Sequence, residues 1–185
     1  MLYKFFWILR AVIYKPFFGK FGLPSYIGRP IYLQGIKNIH IGTRVRIFPG
    51  ARIEIHGAGS LTIEDNVAIG QNLHCTCAAD LTIGKNTLIT ADVMITDIDH
   101  EYRELGKPIL EQPFLISPTS IGENCFIGQG VRIQAGTKLG KQCIVGTNSV
   151  LRGSFPDYCV IVGSPARVVR RFDTHTKQWQ RVSKM

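Results

Sequence analysis

No stretch of this 185-residue chain runs for about 20 apolar residues without a charge, so no segment has the length and composition of a membrane-spanning helix. The most apolar part, Met1 to Phe21, is interrupted by Lys4, Arg10, Lys15 and Lys20. No small-residue cleavage site follows it, which argues against a secretory leader. Cysteine is scarce and odd in number. Of the five, Cys75 and Cys77 are two apart, a spacing unlike a CxxC redox or zinc pair. Free thiols in a reducing, cytoplasmic setting are the expectation. Low-complexity runs are missing, and so are zinc-finger, RRM and KH signatures. Lys and Arg outnumber Asp and Glu by 22 to 13, a net charge of +9 that permits an anionic partner. The basic residues are spread along the chain, however, and nucleic acid is not expected. What is there, 45% hydrophobic and 19% charged residues, is the composition of one folded domain.

A repeat organises that domain. Ile121, Ile127, Ile133, Leu139, Val145 and Leu151 fall six residues apart, and Gly122, Gly128, Gly140 and Gly146 follow four of them. Four places after each of the first five aliphatic residues comes a small one: Cys125, Val131, Thr137, Cys143 and Ser149. The same phase appears upstream as Ile41, Ile47 and Ile53, then Ile63, Ile69 and Cys75, then Ile83, Ile89 and Ile95. Period six is neither helical nor that of a hairpin, but belongs to hexapeptide β-helix repeats, in which three short strand-plus-corner units make a coil. The aliphatic and small positions then point inward, and the glycine after the aliphatic suits a corner where φ is positive.

Three segments narrow the reading further: Ile121-Gly-Glu-Asn-Cys-Phe-Ile-Gly, Val145-Gly-Thr-Asn-Ser-Val, and the closing Val162-Gly-Ser-Pro-Ala-Arg-Val-Val-Arg. With them, residues 41–171 resemble the hexapeptide-repeat acyltransferases, in the branch of maltose, galactoside, xenobiotic and O-antigen O-acetyltransferases, and the O-antigen likeness extends through Gln178-Trp179-Gln-Arg. The resemblance implies an all-β solenoid, a left-handed parallel β-helix, against the usual right-handed crossover. Residues 39–171 are expected to form it, with a projecting loop at 101–118. Residues 1–38 would be an apolar, basic segment and cap, and 172–185 a short helix capped by Asp173 and anchored by Trp179. Two readings stand open for residues 1–22: a cover for the first coil, or an interfacial helix on anionic lipid.

The resemblance also implies acetyl-CoA as co-substrate, a sugar or lipid-linked glycan as acceptor, and a homotrimer with sites between subunits. A small soluble sugar, a xenobiotic, or a non-catalytic binding solenoid are the alternatives. Transfer from a thioester to an alcohol needs a base, a stabiliser for the oxyanion and a dry channel. Of five histidines, His100 ends Thr96-Asp-Ile-Asp-His where the repeat breaks into the long excursion. The family's catalytic base occupies this place, ahead of a segment that here reads Gly106-Lys-Pro-Ile. His74 and Asn72, one coil earlier, and Glu111 in the loop are implied acceptor-binding residues; Asp97, Asp99, Glu101 and Glu104 are further carboxylates that could orient the base. Along the donor groove the resemblance places Gln129 and Thr147 at the pantetheine arm and Arg152, Arg167 and Arg170 at the nucleotide phosphates, where a planar guanidinium binds well. A nucleophilic cysteine is disfavoured because Cys75, Cys125 and Cys143 hold inward positions. No metal is expected, since His74 and His100 have no third histidine in phase.

Overall fold

The computed structural model describes residues 2–182, with side chains from residue 4 onward. Short strands recur every six or so residues and pair in parallel with those one coil away, giving three faces of a solenoid with six full coils and part of a seventh. The register stacks like on like. Ile63 pairs with Ile83, Ile83 with Ile121, Ile121 with Leu139, and Leu139 with Phe155, so each aliphatic position forms a continuous buried column. Every aliphatic residue of the repeat from Ile41 to Leu151 is at most 3% exposed. No single coil could bury this face alone, which is why the stack is the unit of stability.

Corner chemistry differs from expectation. Gly122 is not at positive φ; a Cβ there would lie 2.6 Å from the carbonyl carbon of Gly140 in the next coil, so the glycine is demanded by close approach of backbones. Positive φ falls two residues later, at Asn86, Asn124 and Asn148 among others. Asparagine tolerates that region and also stacks: Asn66 Nδ2 donates to Asn86 Oδ1 at 2.9 Å.

The solenoid also begins earlier than residue 39. Strands Lys20–Phe21, Tyr26–Ile27 and Tyr32–Gln34 form a first coil that pairs in register with the second. Phe21, Ile27 and Leu33 carry the spacing of six, with an aromatic residue in the first place. Ahead of this coil, the helix Leu2–Tyr14 lies on the second face, with Trp7 5.3 Å from the Phe48 ring and Ala11 buried. Tyr14 stacks on Phe18, which is itself buried against Phe21. The helix therefore does cover the first coils.

At the other end the expected helix is a β-hairpin. Strand Ala166–Asp173 runs antiparallel to Cys159–Gly163 and to Gln178–Arg181, whereas residues 183–185 lie outside the described residues. Asp173 does cap, but it caps a turn: Oδ1 accepts from His175 N at 2.8 Å and Thr176 N at 3.1 Å. Val168 and Val169 favour extended backbone, and Trp179 packs across the strands on Phe172, ring centroids 5.5 Å apart.

Candidate active site

The third face carries the chemistry. Its strands Arg52–Ile55, His74–Cys77 and Met94–Thr96 are in register, so outward side chains form two columns, Arg52, His74 and Met94 in one and Glu54, Thr76 and Thr96 in the other. Beyond Thr96 the chain leaves the solenoid. Strand Ile98–His100 pairs antiparallel with Phe114–Ile116, His100 opposite Phe114, and residues 101–113 project as an arm. The arm has its own small core: Gln112 is buried, and its Nε2 donates to the carbonyls of Lys107 (2.9 Å) and Glu104 (3.2 Å).

Between arm and face lies a cleft of about 440 Å³, lined by His56, His74, Met94, His100, Phe114 and Gln134 among others. Two further depressions, of about 420 and 640 Å³, lie at Lys20, His40 and Asp65 and beneath the closing hairpin, both away from the arm. The His100 ring meets the Phe114 ring edge-on at 4.9 Å, and its nitrogens have no hydrogen-bond partner among the described residues. An imidazole held by a ring edge, with free nitrogens facing a cleft, can accept a proton from a hydroxyl bound there. No carboxylate orients it. Asp97 is buried and accepts from Ala78 N (2.8 Å) and Ala79 N (2.9 Å); Asp99 pairs with Arg152; Glu101 pairs with Arg103; Glu104 reaches Lys107 at 3.1 Å. The Arg103 guanidinium and two backbone N–H groups hold Glu101 down at about 2, so that carboxylate is committed within the arm.

Opposite stands His74, whose Nε2 lies 3.5 Å from Glu54 Oε1 and 3.4 Å from Thr76 Oγ1. The hydrogen bond from Arg52, at 2.6 Å, holds the Glu54 carboxyl below the usual carboxylate range, so a charged acid stands behind the imidazole. His74 stacks on Met94 rather than on His100 itself, yet both histidines line the one cleft. His56, Phe114 and Gln134 were not anticipated. His56 falls in the insertion after Ile53, outside the regular phase, and only the projecting arm brings Phe114 over it, at 5.7 Å. Although three histidines share the cleft, no three His, Cys, Asp or Glu side chains among the described residues gather closely enough to hold a metal ion.

The remaining candidates divide. Asn72 sits at a corner and donates to Asp92 Oδ1 at 2.9 Å, in a smaller depression of about 210 Å³ that shares His74 and Met94 with the main cleft. Glu111 is exposed on the arm in a short turn of helix and does not line the cleft. Gln129 donates to Asp92 Oδ2 at 3.0 Å, Thr147 is exposed at a corner, and Arg167 and Arg170 are exposed on the closing hairpin. Arg152 is not with them: it bonds Asp99 and, through Nε at 3.2 Å, Gln134 at the cleft. All five cysteines are buried, as core side chains are, and burial pushes the Cys77 thiol up to about 12.

Comparison with known proteins shows the family to which the chain belongs. Residues 118–153 match the family model for bacterial transferase hexapeptide repeats. WbbJ of Escherichia coli strain K12, assigned as a lipopolysaccharide biosynthesis O-acetyl transferase, is 31% identical over 159 residues, covering 82% of this chain and 81% of its own. The galactoside O-acetyltransferase of the same strain is 26% identical over 174 residues, 92% of this chain and 72% of its own. Among solved structures, a hexapeptide-repeat acetyltransferase of Vibrio cholerae complexed with acetyl-CoA shares the fold, with a TM-score of 0.58, 21% identity and coverage of 89% and 77%.

Proposed function

Because the chain belongs to the hexapeptide-repeat acyltransferase family, we propose that it transfers an acetyl group from acetyl-CoA to a sugar hydroxyl, with His100 as general base. The observation that carries the assignment is the His100 imidazole, its nitrogens unengaged among the described residues, lining a cleft of about 440 Å³, a volume that suits a small-molecule site. His100 takes the hydroxyl proton as the oxygen attacks the thioester carbonyl. The new C–O bond forms, the C–S bond breaks, and the CoA thiolate takes the proton back from His100, so no covalent acyl-enzyme and no metal are needed. His74, with Glu54 behind it, is suited to hold a neighbouring hydroxyl of the acceptor. The donor is placed in a groove beside Gln129 and Thr147, with Arg167 and Arg170 toward its phosphates; Arg152 acts at the cleft instead.

The acceptor is read as a cell-surface polysaccharide precursor, after the lipopolysaccharide assignment of WbbJ, and a lipid-linked form would place the enzyme in the cytoplasm at the inner membrane face. A homotrimer is supported by apolar surface that one copy leaves bare. Outward Leu88, Phe126 and Ile144 stand in register on the second face, and Leu105 and Leu110 on the arm are 95% and 91% exposed.

A thiol-release assay with acetyl-CoA and a panel of sugar acceptors, run on the wild type and His100→Ala together, tests the assignment. Acceptor-stimulated release that drops by about two to four powers of ten in the variant, with donor binding intact, is expected. Turnover near that of the wild type in His100→Ala would refute the base.

A further inference from the structure

Although Lys and Arg are spread along the chain, the acids are not. Residues 1–53 hold nine Lys and Arg and no Asp or Glu, whereas residues 54–185 hold thirteen of each sign, so the first coils carry the whole net charge of +9. Seven of those nine cations, Lys4, Lys15, Lys20, Arg29, Lys37, Arg44 and Arg52, are exposed.

The helix Leu2–Tyr14 adds a second, independent feature. At 3.6 residues per turn, Trp7, Ala11 and Tyr14 share the face turned to the solenoid, where Ala11 is buried. The opposite face should be polar on a soluble protein. Here it is Phe5, Leu9, Val12 and Ile13, with Phe6 and Ile8 beside them, each between 47% and 63% exposed, and Lys4 and Lys15 fall at one edge of that ridge. Phe17, in the turn after the helix, and Leu23 and Ile31 of the first coil are exposed as well. Thirteen residues make a helix about 20 Å long, too short to cross a hydrocarbon core of about 30 Å.

We infer that this end of the solenoid is a docking surface for an anionic phospholipid bilayer, with the helix lying in the interface plane and its apolar ridge among the acyl chains. A second copy meeting this surface face to face would bring two acid-free, cationic regions together; an anionic lipid surface satisfies the ridge and the cations at once. The inference is independent of the proposed acetyl transfer, and its test needs no turnover.

Flotation of the full chain with phosphatidylcholine vesicles, with and without phosphatidylglycerol, reads it directly. The wild type should float with the anionic vesicles, stay behind with the neutral ones, and be released as salt is raised. Leu9→Gln/Val12→Gln/Ile13→Gln leaves Trp7 and Ala11 in place and should weaken flotation by about tenfold or more. Lys4→Gln/Lys15→Gln, which removes no packed side chain, should weaken it and flatten the salt dependence. Equal flotation with neutral vesicles, none with either, or triple-variant binding equal to that of the wild type would overturn the inference. So would sedimentation in which the triple variant falls to a smaller assembly while the wild type ignores vesicles, because the ridge would then close on another copy.

Discussion

Replacing Asp97 by Ala should damage the protein more than replacing any other carboxylate at the base of the arm. Asp97 is fully buried, and its carboxylate takes the N–H groups of Ala78 and Ala79 one coil below, while its carbonyl accepts from Ser117 N at 2.8 Å where the chain returns from the arm. A hydrogen bond to a charged group contributes roughly 1.5–3 kcal/mol, and here two are lost. Ala78 and Ala79 are only half-buried, so water can reach part of what is vacated, which places the expected loss near 3 kcal/mol, the low end of the range. For a chain of this size that corresponds to a fall in Tm of roughly 6–12 °C. Asp97→Asn keeps one acceptor oxygen but turns an NH2 toward a donor, and should fall between. Thermal unfolding followed by circular dichroism measures the stability, and the acetyl-CoA assay measures the consequence: His100 stands three residues beyond Asp97, so kcat should drop in Asp97→Ala while donor KM stays close to that of the wild type. A Tm within a degree or two of the wild type would mean that the two hydrogen bonds do not hold the arm, and the reasoning fails.

Phe114→Ala should cost about three- to tenfold in kcat, the kinetic equivalent of the roughly 1 kcal/mol an edge-on ring pair carries, with unchanged donor KM; an unaltered kcat would leave His100 oriented by something else. Arg152→Met separates two roles, because pairing with Asp99 predicts a lower kcat at constant acetyl-CoA KM, whereas a rise in donor KM alone would return this residue to the nucleotide phosphates. Glu54 supplies the pH dependence. Its carboxyl is held below the ordinary glutamate value, first by the hydrogen bond from Arg52, so its contribution is present above that value and is lost as pH falls through the depressed one. An NMR titration should find the Glu54 midpoint below 4.5, the ordinary glutamate value, and Arg52→Gln should bring it back up; coincident midpoints in the two proteins would exclude the pairing. Glu54→Gln should raise acceptor KM several-fold and leave donor KM alone.

Most of the fold was legible because a solenoid writes its geometry locally. One inward aliphatic residue every six, from Ile41 to Leu151, is both the sequence pattern and the packed column, and no long-range pairing has to be guessed once coils stack in register. Where the reading went astray, a local signal had two structural meanings. Asp173 followed by a polar stretch caps a helix or a hairpin turn equally well, and what decides is the cross-strand packing of Trp179 on Phe172, which sequence spacing does not weigh. Glycine after the aliphatic residue suits positive φ or close approach, and the stacked coil below, absent from any local window, selects the second. The first coil escaped notice because Phe21 stands where later coils have isoleucine.

The site divides along the same line. His100 and His74 were found because both belong to, or interrupt, the repeat, while His56 and Phe114 were missed because only the return of the arm across 13 residues brings them to the same cleft. The carboxylates mark the limit most clearly. Five acids near His100 in sequence made an orienting carboxylate a natural expectation, yet four of them are spent on backbone N–H groups, arginines or a lysine, and Glu111 does not line the cleft. The acid that does stand behind an imidazole is Glu54, 46 residues upstream, brought to His74 by one step of the coil. Proximity along a solenoid is therefore measured in coils and not in residues, and the partners of a catalytic group are best sought about 20 positions away, at the same place in the next coil.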